Sequence, residues 1–165
     1  MQLTFTLILI VISFAALAFS AFSWRERKAQ DQRDLFLRIH GRLIDVDLQR
    51  GRGILFQEVK SLEDAQKLFQ DRRTDSELVN RALAMLDIAA LYVERGYIDR
   101  NLFLAEWGFA YASILEHAGY FIDERASRII RPALRSHFQL LAEQAAEHRR
   151  SDENTNTELE EHSDL

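Results

Sequence analysis

Chemistry in this chain has few places to start: five histidines (His40, His117, His137, His148 and His162) and one acid, Asp87, set among apolar residues. A di-iron carboxylate centre needs inward-facing Glu-x-x-His pairs, and none of the five histidines has a Glu three residues before it. The HExxH pattern of zinc hydrolases is missing too. Glu116 and His117 are adjacent, so on a helix they point about 100° apart and share a ligand poorly. With no Cys in the chain, thiolate zinc sites, disulfides and a cysteine nucleophile are excluded. The expectation is therefore no metal and no cofactor, with surface or hydrogen-bonded histidines.

Gly51-Arg52-Gly53 has the first spacing of a dinucleotide fingerprint but lacks the third glycine and the strand that must precede it. It reads as a turn or a helix irregularity. Asp87 is the acid of most interest, at the edge of the apolar stripe Val79, Leu83, Leu86, Ala90, Val93. A carboxylate so placed could handle a proton or pair with a ligand. The ordinary alternative, an ion pair with an arginine of the last helix, is the favoured reading. Arg125, Arg128, Arg131 and Arg135 recur at helical spacing and form a candidate basic ridge, diluted by Asp123 and Glu124. Asp87 with Arg128 and Arg131 is thus the candidate ligand or ion-pair site, and no residue stands out as catalytic.

Helices must position these groups. One Pro and six Gly interrupt the chain, and no segment alternates with period two. Leu35, Phe36, Ile39 and Leu43 share a helix face. Asp45 is an expected N-cap for the next element, although Gly51 and Gly53 fall inside it. Ser61, followed by acids, opens a short helix. The helix carrying Asp87 closes at Gly96 as its C′ residue. Asp99 caps the next, whose apolar face gathers Phe103, Trp107, Tyr111, Ile114 and Leu115 and which is expected to close at Gly119. A last helix is expected from near Pro132, a residue tolerated in a first turn. Short connections favour antiparallel neighbours, so residues 29–150 read as a compact all-α bundle of about five helices.

The first segment is of another kind. Leu3 to Trp24 carries no formal charge, and as a helix it would reach about 33 Å, against a hydrocarbon core of about 30 Å. A cleaved signal peptide would put its basic residues before the apolar run; here Arg25, Arg27 and Lys28 follow it. Residues 1–28 are read as a retained transmembrane helix with a basic flank that touches lipid headgroups. The positive-inside rule puts the N-terminus outside and the domain in the cytoplasm.

The formal charge of −5 conceals a division. Residues 151–165 hold six acids and no Lys or Arg; the remaining 20 acids nearly balance the 21 basic residues. A near-neutral domain disfavours nucleic acid as a partner, and the acidic tail is expected to be disordered. The expected partners are the lipid bilayer and a protein or a second copy of the chain.

Two stretches, DLFLRIHGRLIDVDLQRGRGILF and ELVNRALAMLDIAALYVERGYIDRNLFLAEWG, carry an acid within an apolar helix (Asp87), then Gly96, Ile98, Asp99 and Trp107. Over roughly 34–135 the chain resembles a family of uncharacterised bacterial proteins that join an N-terminal transmembrane helix to a small helical domain of unknown function. The resemblance implies no activity; it does imply a bacterial cell, and so the inner membrane as the place of the anchor. The function expected is a membrane-anchored interaction or scaffold protein; the alternative is a membrane-tethered small-ligand sensor or enzyme with a pocket around Asp87.

Overall fold

The computed structural model describes residues 2–129, 136–147 and 149–150, with side chains from Ile12 onward. The expected disorder of the tail, the start at Pro132 and the placement of Arg131 and Arg135 lie outside these residues. Among the described residues the chain is all helix, in about six elements: α1 (Gln2–Leu43), α2 (Val46–Glu58), α3 (Leu62–Asp71), α4 (Arg73–Glu94), α5 (Arg100–Ile129) and α6, over 137–147 and 149–150.

Helix α1 runs 42 residues without a break, about 63 Å at 1.5 Å per residue. Nothing before Gly41 interrupts it, so the apolar run and the amphipathic segment form one element. The large apolar side chains Ile12, Phe14, Leu17, Phe19, Phe22 and Trp24 are all exposed, at 58–74%. At 100° per residue they point to every side of the helix. Past Arg33 the helix joins the bundle, burying Ile39 and Leu43. Among the described residues, no helix is long and apolar enough to cross a membrane. Of the Leu3–Trp24 run, those residues supply side chains only from Ile12 onward.

Caps set most of the other boundaries. The Asp45 carboxylate accepts from the Asp47 N–H at 3.0 Å and opens α2. Ser61 accepts from Asp64 N–H, and the Asp64 carboxylate accepts in return from the Ser61 hydroxyl at 2.9 Å and from Lys60 N–H at 3.1 Å. These donors hold the Asp64 carboxyl below its usual range, the serine contributing most. Gly96, at φ +69°, lets the chain leave α4 with Tyr97 and Ile98 N–H both on Tyr92 O. Asp99 accepts from Leu102 N–H at 2.8 Å and starts α5.

Two sequence expectations change. Gly119 does not end α5, which continues to Ile129. Beyond the glycine, Phe121 and Ile122 go on burying apolar surface, and two such side chains outweigh the roughly 1 kcal/mol cost of Gly inside a helix. Gly51 and Gly53 make no turn; α2 runs through both. The last described helix opens with Ser136, whose hydroxyl accepts from Gln139 N–H at 3.2 Å while Gln139 Oε1 accepts from Ser136 N–H at 3.0 Å. That reciprocal pair is a capping box.

Helix α4 is the centre of the bundle, in contact with α1, α2, α3 and α5. Its stripe from Leu78 to Val93 is buried, together with Phe103, Tyr111, Phe121 and Phe138 from the two helices that follow.

Candidate functional surfaces

Asp87 faces α6. Its Oδ1 accepts from the Phe138 backbone N–H at 2.9 Å, so the carboxylate caps a helix from outside that helix. Close by, the buried Tyr111 hydroxyl donates to Leu86 O at 2.8 Å, and its ring lies 5.3 Å from that of Phe138. Burial, with the Asp87 charge second, pushes the Tyr111 phenol above its ordinary value. Arg128 is engaged elsewhere. Its Nε donates to Glu124 Oε1 at 2.7 Å, and its guanidinium lies 4.9 Å above the Phe69 ring, which stacks on Phe121 at 4.6 Å. Arg125 donates to Asn80 at 3.2 Å. Asp87 and Arg128 therefore serve different helix contacts, and Arg131 lies outside the described residues.

Where α1 meets α2 and α5, a polar cluster had not been singled out from the sequence. Arg52 Nη1 donates to Leu43 O at the end of α1, at 2.6 Å, and the guanidinium sits 5.4 Å from the Trp107 ring centre. Trp107 Nε1–H donates to His40 Nδ1 at 3.3 Å. Desolvation lowers the Arg52 pKa. One signal could have found this arginine: it shares a face with Leu48, Leu55 and Val59, at steps of four, three and four residues. Upstream, Gln32 donates to Gly96 O at 2.8 Å, so α1 is fastened to the bundle at several levels.

His117 and His137 also join separate helices. His117 Nδ1 meets Val59 O at 2.8 Å, and His137 Nδ1 meets Glu94 at 2.5 Å. Among the described residues, no three His, Asp or Glu side chains converge as metal ligands, and no buried side-chain polar atom lacks a partner.

Among the grooves open on the described residues, two have a largely apolar lining. One, of about 550 Å³, lies between α1 and α4 beside the start of α2; its floor includes Leu35, Ile39, Met85, Ile88 and Tyr92, and Arg38, Arg42 and Arg81 stand on its rim. The other, of about 490 Å³, lies between α5 and α6 and is lined by Leu104, Ala105, Gly108, Phe109 and Ala145. Most aromatics of α4 and α5 fill the core, but Phe109 is 69% exposed and Leu102, seven residues before it, 46%.

The model of one protein family, described as Domain of unknown function (DUF4760), matches residues 7–145. No curated protein and no solved structure matches the chain.

Proposed function

We propose, for a chain that belongs to the DUF4760 family of domains of unknown function, the role of a single-pass membrane-anchored interaction protein. Its anchor is Leu3 to Trp24, and its helical domain stands at the cytoplasmic face of a bacterial inner membrane. The observation that carries this reading is the exposure of Ile12, Phe14, Leu17, Phe19, Phe22 and Trp24 on all sides of α1. A helix apolar all round requires an apolar surround, and the bundle does not supply one. Arg25, Arg27 and Lys28 directly behind it suit anionic headgroups, each at about 1 kcal/mol.

Because α1 continues into the bundle and is held there by Gln32, His40 and Leu43, the anchor and the domain move as one body in this reading. The partner-facing surface is the α5–α6 face around Phe109 and Leu102, the aromatic and apolar surplus that the core leaves outside. The Asp87 pocket reading has less behind it, since that carboxylate is already engaged by the Phe138 N–H.

An alkaline phosphatase fusion after Lys28 tests the topology: it should be inactive, and strong periplasmic activity would overturn the orientation. A photo-crosslinker at Phe109 in intact membranes should give a discrete adduct that Leu102→Asp abolishes. A chain that stays monomeric with no adduct would count against the docking role.

A further inference from the structure

We infer that the acidic segment 151–165 folds back onto its own domain and lies in the groove between α1 and α4. This goes beyond the anchoring role and does not depend on it. The groove joins an apolar floor (Leu35, Met85, Ile88) to a rim of arginines. Its two acids are already in use: Asp45 caps α2, and Asp47 pairs with Arg81 at 3.5 Å. Arg38 and Arg42 are exposed and, among the described residues, have no hydrogen-bond or ion-pair partner.

The segment has the complementary pattern. It carries Asp152, Glu153, Glu158, Glu160, Glu161 and Asp164 with no Lys or Arg, and Leu159 sits among three of the glutamates. A leucine entering the floor with glutamates on either side would meet both halves of the groove at once. The basic ridge on late α5 is a poorer match. There Arg125 already holds Asn80 and Arg128 already holds Glu124.

Leu159 stands nine residues beyond Arg150 and so reaches about 30 Å when extended, nearly the full width of about 35 Å of a domain of this size. Tethering also raises the local concentration of the segment to the millimolar range, so a contact with a dissociation constant of about 1 mM is populated within the chain. A second copy or a separate acidic protein would have to bind far more tightly to compete at cellular concentrations.

The absence of cysteine makes the test direct. Thr157→Cys in the full chain, in detergent micelles, carries a single nitroxide, and methyl NMR reads its proximity. Met85 and Ile88 methyls should broaden severalfold more than those of Leu62 on α3 and Leu140 on α6. The effect should vanish in Arg38→Glu/Arg42→Glu and fade in about 1 M salt, where the screening length is about 3 Å. Arg38→Gln/Arg42→Gln, which removes charge at exposed positions without reversing it, serves if the first variant misfolds. Broadening centred on Ile122 and the late part of α5, or none at all, overturns the inference. So does broadening that appears only when spin-labelled chains are mixed with isotope-labelled ones, which would make a second copy the occupant.

Discussion

Asp87 Oδ1 and the Phe138 backbone N–H lie 2.9 Å apart, joining the middle of α4 to the first turn of α6 across 51 positions of sequence. An acid whose setting suits a ligand or an ion pair is a helix cap supplied in trans, placed where the free N–H groups and the dipole of α6 favour negative charge. Asp87→Ala should cost about 1–2 kcal/mol, as cap removals do. Asp87→Asn, which keeps an acceptor, should cost less than half of that. Hydrogen exchange should localise the loss to amides 138–141, leaving those of α2 unchanged.

Gly51 separates α2 from α4 by the width of a missing methyl. A Cβ there would sit 2.8 Å from the Leu78 carbonyl carbon and nearer still to its oxygen. Gly51→Ala must push two helix backbones apart and should cost about 2–3 kcal/mol. Gly53 has open space around it. Gly53→Ala, on the same helix, should stabilise by about 0.5–1 kcal/mol. Denaturant melts of both variants check the contrast.

Tyr111 predicts an alkaline limit to stability. Its phenol is raised above 10.0 by burial first and by Asp87 second. Stability carried by the protonated phenol is fully present below about pH 10. Above that the unfolded chain gives up its proton first, and stability falls by up to about 1.4 kcal/mol per pH unit. Tyr111→Phe should lose about 1 kcal/mol at pH 7, from the bond to Leu86 O. The variant should then show a shallower decline than the wild type between pH 10 and 11.

Arg52 should tolerate lysine poorly. Its fork reaches Leu43 O while its plane lies against Trp107, and an ammonium cannot do both. Arg52→Lys is expected to cost about 1 kcal/mol and to speed amide exchange near the end of α1. Because an indole N–H only donates, the His40 Nδ1 facing it must carry a lone pair, which puts the proton of the neutral ring on Nε2. Nitrogen-15 shifts of His40 should report that tautomer, and Trp107→Phe should relax it toward a mixture.

Helix boundaries were legible wherever a local signal made them. Asp45, Ser61 and Asp99 each bond an amide two or three residues away, and Gly96 takes the left-handed turn its place after the stripe requires. Gly119 misled because its cost is local and about 1 kcal/mol, while the packing of Phe121 against Phe69 comes from 52 residues away. For the same reason Arg52, between two glycines, read as part of a turn or a helix irregularity.

The amino-acid sequence by itself determined the all-helical class, the caps, the apolar run with its basic flank and the separation of charge into a neutral domain and an acidic tail. Each depends on residue type and on spacing within a few turns, where the helix period alone decides which side chains meet. Only the tertiary structure decided that Asp87 serves α6, that Arg52 closes the end of α1, and that Arg38 and Arg42 stand unpaired, among the described residues, over an open groove. Those outcomes depend on which helices become neighbours, and that choice is made by burial summed over the whole core.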